Sequence, residues 1–212
     1  MNSKSNAQAM ETEKIPRLLA QLAIPAVVAQ IINLLYNIVD RIYIGHIREV
    51  GGIALTGLGL CFPVLMMVTA FAMLIGSGGA PRAAIYMGKG DNETAERILG
   101  NSVTSLIVIS VVLTIFLEAV AEPILWMFGA SEKTLPFALG YMRIYVAGSI
   151  FVMMTLGLNM FITTQGFAKI SMKTVLIGAI CNIILDPLFI FAFHMGVKGA
   201  AVATILSQAV SA

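Results

Sequence analysis

Asp40 and Asp186 each lie inside a long run of apolar residues. An ionised carboxylate at the middle of a bilayer costs roughly 2.5 to 3.5 kcal/mol on insertion scales, so a chain that carries two of them needs partners or a use for both. The first reading is an ion or substrate site inside a membrane. The neighbours of the two acids fit it. Asn33, Tyr36, Asn37 and Asp40 recur at i, i+3, i+4 and i+7, with Gln30 about one turn earlier, which puts them on one helix face. Asn182 and Asp186 are four apart and also share a face. Pro187 follows directly and has no N–H to give, so the carbonyl of Ile183 loses its usual donor at the depth of the carboxylate. Carboxylate, amide oxygen and backbone carbonyl are hard oxygen donors, which suit Na⁺ or a bound proton better than a soft metal.

The elements that position these residues follow from composition. Hydrophobic residues make up 58% of the chain and charged ones 11%, less than half the usual charged share of about 25% for a soluble domain. A net charge of +2 is too small to suggest a nucleic-acid partner. At about 20 apolar residues per crossing, the chain divides into six expected spans, at 18–45, 53–80, 98–121, 138–164, 174–193 and 200 to the end. Residues 1–17 are polar and of mixed charge, and the apolar run after them is too long for a signal-peptide core. They read as a cytoplasmic tail, with 18–212 as one membrane unit. The final span is short, so the chain is expected to be part of something larger.

Orientation follows from the basic residues. With the tail inside, Lys4, Lys14, Arg17, Arg82, Lys89, Arg97, Lys169 and Lys173 are cytoplasmic, while Arg41, Arg48, Lys133, Arg143 and Lys198 lie towards the outside, a modest positive-inside bias. Odd spans then run outward. Asp40 and Asp186 fall in the outer half, and Tyr141 with Tyr145, and Thr204 with Gln208, enter at the same depth on inward-running spans. All can converge in one cavity. The plainer alternative is that Tyr145, Asn159 and Gln208 merely join helices, through hydrogen bonds worth about 0.6 kcal/mol each. Glu118 and Glu122 read as an interfacial acidic patch, and His46 and His194 as interfacial residues without a metal-ligand spacing. Cys61 and Cys181 lie in apolar runs and read as packing residues. The loop MGKGDNETAE (87–96) lacks phosphate-loop spacing; Asp91 is expected to cap the helix after it. No catalytic triad, zinc box or nucleotide fingerprint is present, so the chain does not read as an enzyme.

Four segments carry a family resemblance: YNIVDRIYIG (36–45), GSGGAPRAAIYMGKGDNETA (76–95), NIILDPLFIF (182–191) and GVKGAAVATILSQ (196–208). Together they resemble the N-terminal half of a multidrug and toxic compound extrusion (MATE) transporter. The resemblance implies an all-α, twelve-helix protein of two six-helix lobes. This chain would be the N-terminal lobe, its sixth helix truncated and the C-terminal lobe absent. It also implies export of organic cations and other amphiphilic toxins in exchange for H⁺ or Na⁺, with no cofactor, through a multi-pass protein of the cell membrane. The family's coupling site, carried over residue by residue, falls on Asp40, Asn182, Asp186 and Thr204, with Tyr141 beside them. These four also form the expected Na⁺ site. Pro25 matches a first-helix proline about which bending is proposed, and Pro187 marks a second break. The competing readings are a lipid-linked saccharide flippase of the same superfamily and a membrane fragment that transports nothing.

Overall fold

The computed structural model describes residues 15–212, so most of the predicted tail lies outside the described residues. Among the described residues seven α-helices follow one another: α1 (Ile15–Gly45), α2 (Gly51–Gly88), α3 (Asn92–Met127), α4 (Leu135–Ala147), α5 (Ser149–Thr164), α6 (Ala168–Pro187) and α7 (Val197–Ser211). A π-helical turn, Leu188–Ala192, extends α6. Among the described residues there is no strand. α1, α2, α3 and the extended α6 are each long and apolar enough to cross a membrane, and α4 with α5, taken as one bent span, is long and apolar enough to be a fifth. α7, with 15 residues, is shorter. At 38 residues α2 is about 57 Å long, nearly twice a hydrocarbon core of about 30 Å, so its ends reach past the lipid tails.

The expected fourth span is broken. α4 and α5 meet at Gly148 with a 56° bend. A side chain at 148 would occupy the space filled by Ile205 of α7, so the glycine lets α7 press into the elbow. Backbone groups released at the bend find a partner on α3, where the Thr114 hydroxyl donates to the Val146 carbonyl at 2.9 Å and lies 3.1 Å from the Ser149 hydroxyl. Non-helical backbone at membrane depth survives only when something in the protein satisfies it.

Lipid tails are as apolar as leucine, so helices here associate by close packing of small residues rather than by exclusion of water. α2 lies against α3, α4 and α5, and α7 against α4, α5, α6 and the π-helical turn. At the α2–α5 crossing a Cβ on Gly76 would stand 3.0 Å from the Gly157 carbonyl oxygen. α1 is the outlier. It packs chiefly on α6 and touches α2 and α7 only lightly, leaving Leu19, Ile24, Ile31, Leu34 and Ile42 exposed. α1 runs as one helix through Pro25, which is buried.

The turns end the helices by local chemistry. Asp91 caps α3 as expected, its carboxylate accepting from the Thr94 amide at 3.0 Å. Hydrogen bonds from the Thr94 hydroxyl and amide lower the pKa of that carboxyl, so as pH falls the charged cap is lost later than an unpaired aspartate would lose its charge. Gly90, Gly129, Gly166 and Gly196 adopt positive φ at the loops.

The packing at the head of α7 gives a direct test. A Cβ at Gly199 would lie 2.6 Å from the Phe189 carbonyl carbon, a backbone atom of the π-helical turn, whereas Gly78 faces open space. Gly199→Ala is expected to destabilise the protein by about 1–3 kcal/mol through overpacking, despite alanine's better helix propensity. Gly78→Ala should leave the thermal midpoint unchanged or raise it. Circular-dichroism melts in detergent distinguish the two.

Candidate cation site

Along α1 the residues turned into the protein are Pro25, Ala29, Asp40 and Ile44, with Leu22, Asn33 and Tyr36 half-buried on the same line. This i, i+3/i+4 stripe is the face α1 lays on α6, and it delivers Asp40 to the seam at 7% exposure. From α6, Asn182 and Asp186 meet it at 1% and 0% exposure. The Asn182 side-chain N–H donates to Asp186 Oδ1 at 3.1 Å. The carboxylates of Asp40 and Asp186 are near enough to act on each other through their charges.

α7 and α4 complete the surroundings. The Tyr141 phenol on α4 lies beside the Thr204 hydroxyl and within the field of Asp40. Tyr145 stacks on Tyr141, with centroids 6.1 Å apart and planes at 17°. Tyr36 on α1 neighbours Gln208 and feels both acids. Nearer the chain turns, Tyr43 packs edge-on to Phe191 at 6.3 Å, tying α1 to the π-helical turn.

The chemistry of the seam lies in what is left unpaired. Asp40 Oδ1, Asp186 Oδ2 and Asn182 Oδ1 are buried oxygens that accept no hydrogen bond from the protein. Such groups are normally satisfied, so three orphaned acceptors on two packed helices are candidate ligands for a hard cation or a proton. No lysine or arginine among the described residues is buried with them.

Of the sequence-predicted residues, Asp40, Asn182, Asp186, Thr204, Tyr141, Tyr145 and Tyr36 fall in this one region. Gln30 and Asn37 do not. At 3.6 residues per turn they sit roughly 60–80° round the helix from Asp40. Both are exposed, and the Asn37 side chain donates to its own helix, to the Asn33 carbonyl at 2.7 Å. Asn33 is half-buried at the rim. Glu118 proves to pair with Arg143 across α3 and α4 at 3.7 Å, both partly exposed. Cys61 is fully buried and its thiol donates to the Ala138 carbonyl at 3.2 Å, a packing role. Thr114 and Gly148, which make the elbow behind Tyr141 and Tyr145, escaped sequence reasoning; the glycine inside an apolar run was the available signal.

A bundle of membrane-length helices with its acids and amides gathered on inner seams is the architecture of a polytopic membrane transporter. Comparison with known proteins supplies the family. The chain belongs to the MatE family, whose pattern matches residues 25–188. It is 26% identical over 201 residues to the multidrug export protein MepA of Staphylococcus haemolyticus, covering 95% of this chain and 44% of that protein. It is 26% identical over 202 residues to a FAD transporter of Shewanella oneidensis, covering 93% of this chain and 44% of the relative. Among solved structures, a MATE protein in the bent conformation superposes with a TM-score of 0.88 at 28% identity, over 97% of this chain and 45% of that one. The chain therefore spans less than half the length of the relatives it matches.

The Asn182–Asp186 contact can be isolated by a double-mutant cycle. Asn182→Ala removes the donor to a buried carboxylate and is expected to cost about 1–3 kcal/mol. Asp186→Asn in the Asn182→Ala background should recover part of that loss, because a neutral amide tolerates burial better than an unpaired charge. Thermal midpoints in detergent of the unaltered chain, of Asn182→Ala and Asp186→Asn singly, and of the double variant give the coupling.

Proposed function

We propose that this chain is the N-terminal lobe of a secondary antiporter that exports organic cations or amphiphilic toxins in exchange for H⁺ or Na⁺. The observation that carries the reading is the set of unpartnered oxygens of Asp40, Asn182 and Asp186, buried where α1 meets α6. A cation entering from the side of the α1–α2 loop is shared by the two carboxylates, with the Thr204 hydroxyl and the Tyr141 phenol as neighbouring ligands. Their mutual repulsion falls and α1 settles differently on α6. Pro25, which has no N–H for the helix ladder, gives α1 a place to bend. Each charge carried down 100 mV supplies roughly 2.3 kcal/mol, enough to concentrate a monovalent substrate severalfold.

The rim residues Gln30, Asn33 and Asn37, on the less covered side of α1, face the cleft that a complementary C-terminal lobe would close. Placement in the cell membrane with the N-terminus in the cytoplasm rests on the basic residues at the end of the bundle that carries the α2–α3 and α5–α6 loops. A second reading takes an anionic cargo, either a lipid-linked saccharide or a flavin dinucleotide, the latter prompted by the Shewanella relative. The lack of any buried lysine or arginine among the described residues favours a cationic one.

The test is dye efflux from membrane vesicles with pH and Na⁺ gradients imposed separately, using this chain joined to the C-terminal half of a full-length relative. Efflux should follow one of the two gradients. Asp40→Asn and Asp186→Asn should each reduce it to the background of empty vesicles while the protein remains in the membrane. Efflux indifferent to both gradients would remove the antiport reading.

A further inference from the structure

A cation held between Asp40 and Asp186 must also leave, and the polar side chains below it are arranged in order. On α6, Asp186, Asn182, Gly178 and Thr174 recur every four residues along one face, a descent of about 18 Å from the acid pair towards the α5–α6 loop. On α7, Gln208 and Ser211 continue the line begun by Thr204. Asn159 faces them from α5. The three helices are laced together along this line: Asn159 donates to the Thr174 hydroxyl at 3.2 Å, Ser211 to the Thr174 carbonyl at 2.9 Å, and Thr155 to the Gln208 carbonyl at 3.0 Å.

The lacing uses side-chain donors and leaves acceptors over. Here Asn159 Oδ1 and Gln208 Oε1 are buried and accept nothing from the protein, as is Asn182 Oδ1 above them. Buried acceptors without protein donors are the places where water is held in a protein interior. At Gly178 the stripe carries no side chain at all; a Cβ there would lie 3.1 Å from Ser211, so the glycine keeps the backbones of α6 and α7 close while adding nothing apolar to the line.

We propose that the α5–α6–α7 seam, through Gln208, Asn159, Thr174 and Ser211, is a hydrated route by which the small coupling cation passes from the acid pair to the α5–α6 loop end of the bundle. The proposal rests on the acid pair being the cation site. Amide oxygens and hydroxyls replace the cation's water ligands in turn, and Gln208, Asn159, Thr174 and Ser211 carry no charge that would trap it.

Thiol labelling in membrane vesicles tests it without requiring transport. Asn159→Cys, Thr174→Cys and Ser211→Cys are each made in the Cys181→Ala chain, leaving the fully buried Cys61 as an internal unreactive thiol. A membrane-impermeant cationic methanethiosulfonate is applied to the face on which Lys169→Cys reacts. Asn159→Cys and Thr174→Cys should react at least about an order of magnitude faster than the exposed, apolar-surface control Ile177→Cys, since thiolate formation needs a polar environment. Asn159→Leu should block labelling of Gln208→Cys while sparing Lys169→Cys, which also verifies that the blocked variant is inserted. Labelling at Asn159→Cys no faster than at Ile177→Cys, from either face, overturns the route and leaves the acid pair standing. A labelled seam in a protein whose efflux ignores both gradients overturns it from the other side, by removing the cation.

Discussion

The polar residues where α1 meets the rest of the bundle gather round two carboxylates buried in the joint between α1 and α6. Two like charges side by side in a low-dielectric interior would repel; Asn182 donates to Asp186 Oδ1, while Asp186 Oδ2 and Asp40 Oδ1 accept nothing from the protein. The rest of the arrangement tolerates this joint or serves it. Aromatic rings wall it from the α4 side, and Thr204 and Gln208 approach from α7. The π-helical turn after Pro187 brings Phe191 across to Tyr43 and closes the upper edge.

The surrounding scaffold is stiff for a different reason. α2 to α5 and α7 approach through glycines whose missing side chains admit a neighbour's backbone or a leucine or isoleucine side chain, as at Gly76 against Gly157 and Gly148 against Ile205. Where water cannot drive association, such fit supplies most of the cohesion. Hydroxyls on the same helices bond mainly to carbonyls one turn back or across a crossing, and so add little polarity to the interior.

Much of this was legible in the sequence because membrane helices obey two plain rules, a minimum apolar length and a 3.6-residue period. The length rule located the crossings. The period put Asn182 with Asp186, and Tyr36 with Asp40. It failed to separate Gln30 and Asn37 from the buried line, since a face drawn from spacing is wider than the strip one neighbour covers. The elbow at Gly148 was not legible because the apolar run continues through it; only the partner residues Thr114 and Ile205, distant in sequence, reveal that the backbone turns there. Glu118 and Arg143 were likewise read apart because nothing in the linear order sets α3 against α4 in that register.

The light attachment of α1 has a thermodynamic corollary. A helix fastened along one side contributes only that side to the cohesion of the whole. Lifting or reseating it disturbs one seam and leaves the interlocked glycines elsewhere untouched. The work needed to displace the stave that bears Asp40 is therefore set mainly by a short list of neighbours on α6. Had the same acid been mounted on α2, hemmed in on three sides, any displacement would have required dismantling the interior.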